Sequence, residues 1–213
     1  MKKTHLTAAI LTGLCLSLAS SACAGENGKT PAVGSVRPEG KIKKADLPAL
    51  TKISFDDAVK AASAASAGAI IEGELEIEDG NLQYAFDIVG KDGSLTEVEI
   101  DAGNGKVLDT DKEPAAEAAK AAALAAKAKI GFADALKTAF GAVPSTLIKG
   151  KLEDEDGAAQ YEFKILGADK KISGVEIDAA TGKVLKVESH DEKKKGHEDH
   201  EDKDKEDKED KKD

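Results

Sequence analysis

VEIDAGNGKVL, at residues 98–108, returns as VEIDAATGKVL at residues 175–185. Laying Val98 on Val175 carries the match backwards without a gap, through Tyr84 on Tyr161 and Phe55 on Phe132, to Ile53 on Ile130. About half of the aligned positions are identical, which marks an internal duplication. The chain therefore consists of two copies of one small unit, with flanking segments of different composition.

The 213 residues divide into a signal peptide (residues 1–24), a flexible tether (25–50), a first unit (51–112), an Ala-rich helical linker (113–129), a second unit (130–188) and a charged, disordered tail (189–213). A unit of roughly 60 residues buries only about 60% of its unfolded surface, so each alone is marginally stable. Aromatic residues make up 3% of the chain, so Phe55, Tyr84, Phe86, Phe132, Phe140, Tyr161 and Phe163 must carry much of the core. A net charge of -10 disfavours nucleic acid and anionic membrane surfaces as partners, since both require a basic footprint. Cationic surfaces and metal ions suit it better.

Lys2 and Lys3, an apolar run over residues 6–18 and the A-x-A site Ala22-Cys23-Ala24 have the form of an export signal. Cleavage after Ala24 releases a soluble protein into the periplasm or the medium. Cleavage after Ala22 instead makes Cys23 a lipidated first residue, anchoring the chain to the cell envelope, although Ser20 stands where such sites favour Leu. A mature chain with Cys23 alone has no intrachain disulfide.

In the first unit Ser54-Phe55-Asp56-Asp57 gives a capped helix start, and Phe55, Ala58, Val59 and Ala62 recur at helical spacing. Ile71, Gly73, Leu75 and Ile77 then alternate with Glu72, Glu74 and Glu76. Two further alternating runs follow, one through Tyr84 and Phe86 and one through Val98 and Ile100 with Glu97 and Glu99. Period-two alternation describes strands with one wet face. The expected fold class is α+β: two tandem two-layer units, each one helix packed on a small antiparallel β-meander. Residues 114–129, mostly Ala, favour a helix between them. The tail lacks apolar residues to offset its ordering entropy.

Each unit resembles a PepSY domain. The resemblance rests on an opening Ile-x-Phe-x-x-Ala (Ile53, Phe55, Ala58; Ile130, Phe132, Ala135), a Gln-Tyr-x-Phe strand (residues 83–86 and 160–163) and the closing VEIDAxxGKVL. The first copy departs from the usual Asp-Ala-x-Thr-Gly, with Gly103-Asn104 where the second has Ala180-Thr181. The family is similar to the propeptide region of thermolysin-like metallopeptidases. The resemblance implies an exported binding module that restrains a peptidase or docks another envelope protein, and it supplies no catalytic residue or cofactor.

Enzyme chemistry is also disfavoured by the residues. Between the leader and the tail there is no His to pair with a nucleophile, no Gly-rich phosphate loop and no C-x-x-C. Asp101 and Asp178 read as turn anchors, and Tyr84 and Tyr161 as core residues with the hydroxyl at the rim. The candidate contact surface is acidic: Glu72, Glu74, Glu76, Glu97, Glu99 and Glu176, with the turn Glu153-Asp154-Glu155-Asp156. An alternative function is the binding or buffering of divalent cations. That turn could hold Ca²⁺; His190, His197 and His200 are metal-ligand candidates among carboxylates, and His197 with His200 could share Zn²⁺, Ni²⁺ or Cu²⁺.

Overall fold

The computed structural model describes residues 32–190. A 3-10 helix (Lys44–Leu50) precedes α1 (Phe55–Ala65), β1 (Ala69–Glu78), β2 (Asn81–Val89), β3 (Leu95–Asp101) and β4 (Val107–Lys112). Then come α2 (Ala115–Ala125), α3 (Phe132–Ala142), β5 (Thr146–Glu155), β6 (Ala158–Leu166), β7 (Ile172–Asp178) and β8 (Val184–His190). Each repeat is thus a helix followed by an antiparallel meander, and the fold mixes helix and sheet as the periodicities require. The Ser54 hydroxyl accepts the Asp57 N–H and closes the N-terminus of α1.

The repeats do not form separate sheets. All eight strands of the described residues belong to one antiparallel sheet ordered β4-β3-β2-β1-β5-β6-β7-β8. β1 and β5 occupy the same position in the two repeats, and they pair with Gly73 opposite Gly150, its own counterpart. An approximate two-fold axis therefore passes through that glycine pair. Phe55 and Phe132, also counterparts, stack across it with ring centroids 6.4 Å apart. Each ring also stands edge-on to its own sheet, Phe55 on Tyr84 and Phe86, Phe132 on Tyr161 and Phe163. A Cβ on Gly150 would lie 2.5 Å from the Phe163 ring, and one on Gly73 would lie 2.9 Å from that of Phe86. Only glycine lets the rings sit this close to the backbone. Joining the units merges two marginal cores into one hydrophobic cluster.

Two connecting segments are more ordered than their composition suggests. The described part of the expected tether lies as a strap on the first repeat. Ser35 donates its N–H and hydroxyl to Asp101, Val36 C=O accepts the Leu82 N–H, and Leu47 is buried in the core. Gly103 makes room for it: a Cβ there would come within 2.3 Å of Ser35 Oγ and 2.7 Å of Val36 Cγ2. The difference between the repeats at this position, Gly103 against Ala180, thus has a steric cause. The Ala-rich linker forms α2, which buries Ala118 and Ala121 and lies against β1, β2, β3 and β5.

Candidate docking face

Because Tyr84, Phe86 and Ile88 point under α1, the alternate positions of β2 and their cross-strand neighbours form the opposite face of the sheet. In the first repeat that face is acidic. Glu72, Asp87, Glu97 and Asp111 face one another in register across β1 to β4, and Glu74, Ala85, Glu99 and Asp109 form the next row. Ala85 is the small member, and above it the face dips into a hollow of about 240 Å³ walled by Glu72, Glu74, Glu76, Asp87 and Glu97, with Lys149 at one side.

Like charges directly opposite on neighbouring strands repel, and partial burial weakens their hydration. Burial first, then the nearby Asp87, Glu99 and Glu78 carboxylates, pushes Glu97 up to about 7. Burial and then Glu72 and Glu113 push Asp87 up to about 6. Glu117, in the first turn of α2, adds to the rise in Asp87, so α2 contributes negative charge to the same face. Glu76 and Glu99 are also raised, in both cases mainly by burial.

The chain supplies its own cations at the inner end of the face. Lys149, from β5, bridges Glu72 and Glu74, lying 2.6 Å from the latter, and Lys44 lies 2.6 Å from Glu74. Burial penalises the Glu74 carboxylate, but the hydrogen bonds from these lysines outweigh it and hold the group below its ordinary value. The candidate contact surface omitted Asp109 and Asp111 on β4 and, at the hollow itself, Asp87. Asp87 lies on β2, buried over most of its length on both faces, and its alternation resembles a wet face.

The second repeat carries different charges on five of the same positions and keeps an acid at others, Glu153, Glu176 and Glu188. Lys149 and Lys151 replace Glu72 and Glu74, Lys164 replaces Asp87, Gly174 replaces Glu97 and Lys186 replaces Asp109. Of the remaining candidate surface, Glu153 pairs with Lys151 at 2.6 Å, Glu176 lies 3.7 Å from Lys186, and Asp154 pairs with Lys127 and accepts the Gly157 N–H. Glu155 and Asp156 are exposed at the β5–β6 turn. The structure thus brings Glu72, Glu74, Glu76, Glu97 and Glu99 together and leaves the other five apart, several of them beside lysines.

Asp101 accepts the Gly103 N–H, and Asp178 those of Ala180 and Thr181, so both carboxylates shape their turns. The buried Tyr84 and Tyr161 donate to the carbonyls of Ile53 and Ile130. Among the described residues no group of three or more His, Cys, Asp or Glu is placed to hold a metal ion, and no helix is long and apolar enough to cross a membrane. Cys23, His197, His200 and the expected signal peptide lie outside the described residues, and His190 is described only as the backbone end of β8.

No curated protein matches the chain. Three solved structures are similar to it. A lipoprotein from Clostridium difficile is 22% identical, with 66% of this chain and 95% of that one covered and a TM-score of 0.39. The YpmB protein of Bacillus subtilis is 20% identical, covering 64% and 97% with a TM-score of 0.30. The YpeB C-terminal domain of Bacillus megaterium is 17% identical, covering 72% and 68% with a TM-score of 0.28. The family model for the peptidase propeptide and YPEB domain matches twice, over residues 52–111 and 129–188, which is more than half of the chain. The chain, with one copy of the motif on each side of its two-fold axis, belongs to the PepSY family.

Proposed function

We propose that the protein is an exported, non-catalytic binding module that docks a basic surface of a peptidase, or of another envelope protein, through the acidic face of its first repeat, and restrains the partner it holds. The observation that carries this reading is the confinement of the uncompensated charge. Cross-strand carboxylates persist on the outer strands of the first repeat at a cost in stability, while in the second repeat Gly174 and Lys186 replace Glu97 and Asp109, and the acids that remain, Glu176 and Glu188, have Lys186 beside them. Groups held well above their ordinary pKa are enriched at functional sites. A partner that places Lys or Arg against Asp87, Glu97 and Glu99 relieves the repulsion, as Lys149 already does for Glu72 and Glu74. The leader at residues 1–24 supports work outside the cytoplasm, in the periplasm or medium, or at the envelope if Cys23 is lipidated.

The test is proteolysis by an envelope fraction in the presence of the purified protein. Addition should lower the activity, less so at high salt, because an electrostatic interface is screened. The variant Glu97→Lys with Glu99→Lys, checked for native circular dichroism, should lose the effect. Unchanged proteolysis with the native protein, or equal inhibition by the variant, would overturn the proposal.

A further inference from the structure

The sheet ends in two edge strands, β4 and β8, which are counterparts in the two repeats. Edge strands present unpaired backbone groups and are templates for further strands unless they are blunted. The two edges are treated differently. In β4 the sequence is Val107-Leu108-Asp109-Thr110-Asp111-Lys112, in which Val107 is 44% exposed, Leu108 is buried and the rest is polar. In β8 the corresponding run is Val184-Leu185-Lys186-Val187-Glu188-Ser189, and its apolar residues are open: Val184 is 42% exposed, Leu185 53% and Val187 50%.

We propose that β8 is a dimerisation edge, at which two copies of the chain pair β8 with β8 antiparallel about a two-fold axis at Val187 and so join their sheets. The charges select the partner and the register. Centred on Val187, the pairing sets Lys186 of one copy opposite Glu188 of the other, and symmetry makes the contact twice. On the opposite face Val187, whose neighbour Val175 is fully buried, meets the partner's Val187 and extends the apolar layer outwards. A shift of the axis to Lys186 opposes two lysines, and a shift to Glu188 opposes two carboxylates. The same operation on β4, centred on Thr110, opposes Asp109 to Asp111 twice, so that edge rejects a copy of itself. Within one chain Lys186 already lies 2.7 Å from Glu188 and 3.7 Å from Glu176. The joined sheets continue this alternation as Glu176, Lys186, Glu188 across the new seam. The interface closes on itself, because both β8 edges are consumed and the remaining ends are β4.

Sedimentation velocity on the purified protein, tail retained, from low to high micromolar concentration, tests this. The expected result is a reversible monomer–dimer equilibrium. Lys186→Glu and Glu188→Lys, each with native circular dichroism, should each raise the dissociation constant by about tenfold or more, since each introduces two like-charge pairs. The double variant, with the charges exchanged, should return to within about threefold of the native value, because its cross-strand pairs are again opposite. Hydrogen exchange gives an independent readout: β8 amides should lose protection on dilution while those of β4 do not change. A protein that stays monomeric throughout, a dimer insensitive to the single variants, failure of the double variant to recover, or species larger than a dimer would each refute the proposal.

Discussion

Removing one charge from the acidic face should stabilise the protein, and only where that charge exists. Glu97 stands between Asp87 on β2 and Asp111 on β4, and it has an ordinary value of 4.5 in the unfolded chain against about 7 in the folded one. A folded value above the unfolded one means that the folded state holds the proton more tightly. The penalty is then absent below about pH 4.5, grows as the pH rises and is complete above about pH 7. Taken in full, the rise amounts to about 3 kcal/mol. Glu97 is only half-buried, so solvent screening reduces this to about 1 kcal/mol. Glu97→Gln keeps the shape and removes the charge. In urea unfolding at low salt it should gain about 1 kcal/mol near pH 8.5 and less than about 0.3 kcal/mol near pH 4.5. A loss of stability at high pH, or the same gain at both, would show that repulsion does not govern this face.

Gly150→Ala should cost about 1–3 kcal/mol in urea unfolding, because its methyl group meets the Phe163 and Phe132 rings at the two-fold axis; unaltered stability would remove the packing argument. Gly103→Ala should dislodge the strap, and trypsin should then cut after Lys41, beside the core-packed Ile42, faster, while Ala180→Gly in the second repeat leaves that rate unchanged. Tyr161→Phe should lose about 1 kcal/mol, since it leaves the part-buried Ile130 carbonyl without its hydroxyl partner; a change in m-value in place of the midpoint would point to the unfolded state.

The helix-and-meander unit was legible because its signals are local. The helical spacing of Phe55, Ala58 and Ala62 and the alternation around Tyr84 and Phe86 each follow from one element's contact with the core. The union of the units was not, because β1 and β5 show the same alternation whether they end a sheet or meet in its middle. One signal did exist in the alignment. Glu72 and Glu74 fall on Lys149 and Lys151, and a reversal of charge at two aligned strand positions is what a pair of facing counterparts requires. The strap left a signal too, in the Gly103-Asn104 departure, but glycine in a turn has a local explanation that hides the distant one. At the candidate face the glutamates of β1 and β3 were found by period alone. Asp87 shares that period on β2 but stood outside the candidate surface, since period cannot tell an ordinary wet position from one partly covered by α2 and crowded by other acidic residues.

The covalent link between the repeats bears on what their sequences were free to become. In an assembly of two identical chains every substitution appears twice, and glutamates at both positions 72 and 74 must face each other across the axis. Once both halves lie on one gene, each position can mutate alone. One half can then supply lysines to the seam while the other accumulates carboxylates beyond what it could tolerate against a copy of itself. Duplicating the first half in place of the second would set Glu72 against Glu74 at the centre of the sheet, and the chain would lose its seam along with its asymmetry.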